Sequence, residues 1–108
     1  MSTVETFFYQ HSGTITQFEG ELIAHVTSEL PTKDRWTEFD LFLSYPDNVW
    51  ILQGIGRSRV PGETDRYWSV QSDDPADVLQ SIVGSEVSRL AKKLIAEALR
   101  NLKTCECE

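Results

Sequence analysis

Near residue 73 the apolar pattern of this chain changes its period, and the change points to one fold class. Downstream, Val87, Leu90, Ala91, Leu94, Ile95, Ala98, Leu99 and Leu102 recur at the i, i+3, i+4, i+7 spacing of a helix with a single apolar face. Ser85 stands where such a helix takes its N-cap. A short helix comes before it. Asp73-Asp74-Pro75 supplies a capping carboxylate with proline just inside, Val78, Leu79 and Ile82 follow, and Gly84 ends the run.

Upstream of residue 73 the pattern belongs to strands. Residues 14–18 and 21–27 are rich in β-branched and aromatic side chains and flank Glu19-Gly20, which reads as a short turn. Residues 36–44 and 49–55 flank Tyr45-Pro46-Asp47-Asn48, a four-residue connection in which proline presets a type I turn. Residues 66–71 form a shorter candidate, and residues 7–10 extend or precede the first strand. Strands first and helices last predict an α+β fold: an antiparallel sheet of roughly four to five strands, then a short helix and a long C-terminal amphipathic helix packed on one face.

The chain has 108 residues, enough for one domain with its own core and without metal or disulfide staples. We expect that domain over 1–103, followed by a flexible tail over 104–108. Cys105 and Cys107 both lie in the tail, so they are not a disulfide framework distributed through a fold.

Ten Lys and Arg against 17 Asp and Glu give a net charge of −7, which argues against direct nucleic-acid binding and against an anionic-membrane surface. No apolar run has the ~20 residues of a spanning helix, and residues 1–10 lack the basic and apolar regions of a signal peptide; a cytoplasmic location is expected. The charge is uneven. Residues 1–54 hold eight acids against Lys33 and Arg35, whereas the last helix carries Arg89, Lys92, Lys93, Arg100 and Lys103. That basic row has the form of an ordinary solvated helix face, without the interleaved aromatics of a nucleic-acid surface.

Strand alternation puts Phe39, Leu41 and Leu43 on one face and Trp36, Glu38, Asp40 and Phe42 on the other. In the following strand Val49, Ile51 and Ile55 oppose Trp50 and Leu52. Trp36, Phe42, Trp50 and Leu52, rimmed by Glu38 and Asp40, are expected on a second face that two helices can hardly cover, unless the short helix and the N-terminal segment close it. These six residues are the candidate protein interface, for a foreign partner or for a homodimer.

A second candidate is the stretch from Gly54 to Arg66. Its glycines and proline mark an exposed loop, and Arg57, Arg59 and Arg66 have the forked donors that suit a carboxylate or phosphate. The spacing fits neither the P-loop nor the dinucleotide fingerprint, so the expectation is contact with a small anion or an acidic partner. His11 and His25 are the only histidines, and with the Cys pair they do not form a zinc pattern. No Gly-x-Ser-x-Gly elbow occurs, and nothing in the sequence assembles a nucleophile, base and orienting acid. No cofactor or metal is expected.

Three readings follow. The first is a small acidic, non-enzymatic interaction domain of accessory or regulatory type. The second is an acidic mimic of nucleic acid that inhibits a nucleic-acid enzyme or defence complex. The third is a small-anion binder using Arg57, Arg59 and Arg66.

Overall fold

The computed structural model of the protein describes residues 4–81 and 88–106, with side chains described as far as Asn101. Five strands, β1 (Glu5–His11), β2 (Thr14–Thr27), β3 (Arg35–Tyr45), β4 (Val49–Ser58) and β5 (Arg66–Ser72), precede two helices, α1 (Pro75–Gln80) and α2 (Ser88–Glu106). Each strand pairs antiparallel with the next, in the order β1-β2-β3-β4-β5. The class is therefore α+β, with a fully antiparallel sheet. Asp74 caps α1 by accepting from the Ala76 N–H, within the expected Asp-Asp-Pro signal. The Ser85 cap lies outside the described residues.

Two local expectations are corrected. Glu19-Gly20 is not a turn, because β2 runs unbroken through it and the β1–β2 turn falls at Ser12-Gly13, with Ser12 at φ 56°. Gly20 instead lets one long strand serve two neighbours, β1 through Thr14–Gly20 and β3 through Glu19–Thr27. A Cβ there would lie 2.2 Å from the Leu43 carbonyl oxygen, so the close approach requires glycine.

The second correction concerns the faces. The β3–β4 hairpin forms as expected, and the Tyr45–Pro46 peptide within it is cis. Its four-residue connection pairs Ser44 with Val49, so an even-numbered residue always faces an odd-numbered one. Leu41 opposes Leu52 and Leu43 opposes Trp50, while Phe42 opposes Ile51 and Glu38 opposes Ile55. Trp50 and Leu52 thus share a face with Phe39, and Ile51 and Ile55 sit with Phe42.

The face carrying Phe39, Leu41 and Leu52 lies under the helices. Its core joins those three with Ala24, Val26, Val78, Leu90, Ala91, Leu94 and Ala98, and Trp50 and Trp68 pack against it. Leu99, expected in the apolar stripe of α2, is 60% exposed. A bulge between Leu22 and Ala24 anchors α2 to β2. Backbone groups freed there are taken up by the helix: the Glu97 carboxylate accepts from the His25 N–H at 2.9 Å, and the Asn101 amide donates to the Ile23 carbonyl at 2.5 Å.

The other face is covered by the sheet itself, which curls until β1 lies beside β5. Phe7, tilted, and Phe18, edge-on, from the β1–β2 hairpin pack against Phe42 with ring centroids 5.0 and 5.2 Å away. Gln53, the one buried polar residue among those described, fastens the curl. Its Oε1 accepts from the Gln10 N–H, and its Nε2 donates to the carbonyls of Gln10 (2.8 Å) and Trp68 (2.7 Å). The seam continues with Ser12 N–H donating to the Tyr67 carbonyl and Ser69 N–H donating to His11 Nδ1. Among the described residues no helix is long and apolar enough to cross a membrane.

Candidate functional site

The β3–β4 register and the curl together disperse the expected aromatic interface. Leu52 is 1% exposed in the helix-covered core and Trp50 packs on that core, whereas Phe42 is buried under the β1–β2 hairpin. Trp36, Glu38 and Asp40 do share the second face, but their side chains are tied into polar contacts. Trp36 Nε1–H donates to Glu38 at 2.9 Å, and Glu38 also accepts from Arg57 Nε at 3.1 Å. Partial burial alone would push the Glu38 carboxyl up; the indole and guanidinium donors outweigh it and hold the group below its ordinary range. Asp40 meets His25 Nδ1 at 2.5 Å. That pair is half of a nucleophile-activating constellation, yet among the described residues no serine, threonine or cysteine side chain hydrogen-bonds His25.

The loop arginines separate into two roles. Arg57 is held between Glu38 and Asp65, and Arg59 between Glu29 and the carbonyls of Leu30 and Lys33, with its guanidinium 4.4 Å above the Trp36 ring. Arg35 makes a forked contact with Glu63, which also accepts from the Ser58 hydroxyl at 2.6 Å. Arg35 and Ser58 together draw the Glu63 carboxyl down to about 2. With the Arg59 N–H donating to the Asp34 carbonyl at 2.8 Å, these contacts zip the β2–β3 and β4–β5 loops into one rim. Arg57 and Arg59 therefore brace the rim rather than stand open to a ligand. Arg66 differs: among the described residues it has no ion pair within 4 Å, and its guanidinium lies over Gly56, 3.5 Å from where a Cβ would be.

Behind the rim is a groove of about 1350 Å³. Its floor crosses four strands, with Thr27, Thr37, Gly56 and Trp68 on β2 to β5, and Leu90 of α2 closes one wall. Six cationic side chains line it (Lys33, Arg35, Arg57, Arg66, Arg89 and Lys93) against two carboxylates, Glu29 and Glu63. Both carboxylates already hold arginines of the rim, so the groove carries a surplus of donors. Arg57 and Arg66 were legible in the sequence as candidates, but Lys33, Arg35, Arg89 and Lys93 were not. Lys33 and Arg35 stood in the acidic front half, and Arg89 and Lys93 read as a solvated helix face; nothing local to those segments signals that they converge.

The strand register places Glu5, Glu19, Asp47, Asp73 and Asp74 at the opposite end of the sheet. The molecule is acidic in sum but polarised, with a cationic groove at one end. Among the described residues no group of three or more His, Cys, Asp or Glu side chains is placed to hold a metal ion. No known family matches the chain, and comparison with curated proteins and with solved structures finds nothing similar to it.

Proposed function

We propose that the protein is a binding domain for an anionic ligand, held in the groove between α2 and the loop rim. One observation carries this reading. In a chain of net charge −7, six of the ten cations gather around one concavity, and its two carboxylates are consumed by the rim's own arginines. Donors without internal partners in a cleft favour phosphate or carboxylate oxygens, and the acidic far end steers an anion toward the groove. Binding of this kind needs no chemical step, and we read the domain as a binder rather than a catalyst.

The test is thermal unfolding with phosphate- and carboxylate-bearing ligands. A ligand at 100 times its Kd adds about 2.7 kcal/mol, which for a domain of this size raises Tm by ~10 °C or more. Arg66→Glu should abolish the rise. A flat Tm across the whole panel, at ligand concentrations up to tens of millimolar, would falsify the reading.

Self-association is a second reading with a different surface from the one expected in sequence. Phe8 and Ile15 are 59% and 63% exposed and are diagonal neighbours on the outer side of the β1–β2 hairpin. If a homodimer forms, Phe8→Ser should weaken it in sedimentation without unfolding the chain, whereas Trp36→Ala should leave it intact.

A further inference from the structure

The groove is too wide for one small anion to use all of its free cations. Its floor spans β2 to β5, three strand spacings or ~14 Å. Arg66 rises from β5 and lies over Gly56 of β4, while Arg89 and Lys93 sit one turn apart on α2, which packs mainly on β2. Two strand spacings, ~10 Å, separate those positions. To use both groups, a single phosphate, whose oxygens accept from donors ~2.8 Å away, needs their side chains to bend toward one point, whereas two phosphoryl groups meet each of them at its own end of the groove. Lys33, on the β2–β3 loop, adds a further cation without an ion pair among the described residues.

We propose that the groove takes a ligand with two or more phosphoryl groups, held at one end by Arg66 and at the other by Arg89 and Lys93. The proposal rests on the anion-binding reading above and narrows its ligand class. Phosphoryl groups suit the site better than carboxylates because each offers three acceptor oxygens and up to two charges, matching a groove rich in donors. Arg66 and Lys93 are ligand-binding residues in this arrangement, and Arg35, Arg57 and Arg59 position the rim that confines it.

The experiment is calorimetric titration of the full chain at low salt with orthophosphate, tripolyphosphate and glutarate. Tripolyphosphate is expected to bind at least ~10-fold tighter than orthophosphate. Arg66→Ala and Lys93→Ala should each bring it to within about twofold of orthophosphate, whereas Lys92→Ala, one residue away on α2 but outside the groove, should change nothing. Equal affinities for the two phosphates would overturn the two-ended site and leave a one-point anion site standing. Glutarate binding as tightly as tripolyphosphate would overturn the phosphoryl assignment. Failure of all three to bind would remove the anion-binding reading along with this one.

Discussion

The two faces of the sheet are both buried, but by different means. The helix-covered face is aliphatic apart from Trp50 and the pair Phe39 and Trp68, whose rings meet edge to face at 6.3 Å, and it is closed by small and branched residues of α2. The opposite face is closed by the chain folding back on itself: rings from β1 and β2 cover Phe42, and a buried amide, Gln53, holds the edge strand together with the Ser12–Tyr67 and Ser69–His11 hydrogen bonds. Burial on the first face depends on area and shape, whereas on the second it depends equally on the hydrogen bonds of the β1–β5 seam, with Gln53 at their centre. A defect in the helix-covered core should therefore weaken the whole domain, and a defect at the seam should open β1 first.

Phe39→Ala tests the first half of that contrast and should have the largest effect. Phe39 is fully buried, and removing a buried ring costs about 3–5 kcal/mol, a large part of the stability of an ordinary domain. Urea denaturation should show a lower midpoint with an unchanged slope. Gln53→Leu, next in size, keeps the volume but leaves the Gln10 N–H and two carbonyls without their partner, at about 2–3 kcal/mol. Hydrogen exchange should then speed first at the amides of Gln10, Ser12 and Ser69. If exchange instead rose evenly through β3 and β4, the two faces would be one cooperative unit and the contrast would be wrong.

Smaller changes probe what joins the faces to the groove. Glu97→Ala removes the acceptor for the bulged His25 N–H and should cost about 1 kcal/mol, with loosening of α2 visible in exchange of its amides. Glu63→Gln should have the smallest effect on stability and a distinctive pH signature. The folded-state carboxyl of Glu63 titrates at about 2, below its ordinary 4.5, so its contribution is fully present above about 4.5 and is lost as pH falls through 2. The stability difference between Glu63→Gln and the parent chain should be constant above pH 4.5 and shrink on further acidification. Loss of this carboxylate also unpins Arg35, so the variant should bind tripolyphosphate more tightly, not less.

Much of the fold can be read along the chain because its signals are local. The β3–β4 hairpin follows from Tyr45-Pro46-Asp47-Asn48, the α1 cap from Asp74 before Pro75, and the α+β class from the change of period at residue 73. The parity of β3 against β4 was also implicit, since a four-residue connection makes Ser44 face Val49; that constraint, applied, places Leu52 under the helix with Leu41. Gln53 was less accessible. A glutamine between Leu52 and Gly54 looks solvent-facing until β1 is brought across it, and Glu19-Gly20, where β2 passes from pairing with β1 to pairing with β3, resembles a turn in sequence.

The candidate site divides along the same line. Residue type and spacing alone pointed to arginines in the Gly54–Arg66 loop as candidates for contact with an anion, and they determined the class of fold that carries them. Which of those arginines stay open was decided by the tertiary structure. Arg57 and Arg59 are taken by Glu38, Asp65 and Glu29, acids that lie between 8 and 30 positions away in the chain, while Arg66 joins Arg89 and Lys93 across the width of the sheet. Sequence sets the charge each residue carries. Whether that charge is neutralised or left facing a ligand depends on distances of a few ångströms between segments remote in the chain, and only packing fixes those.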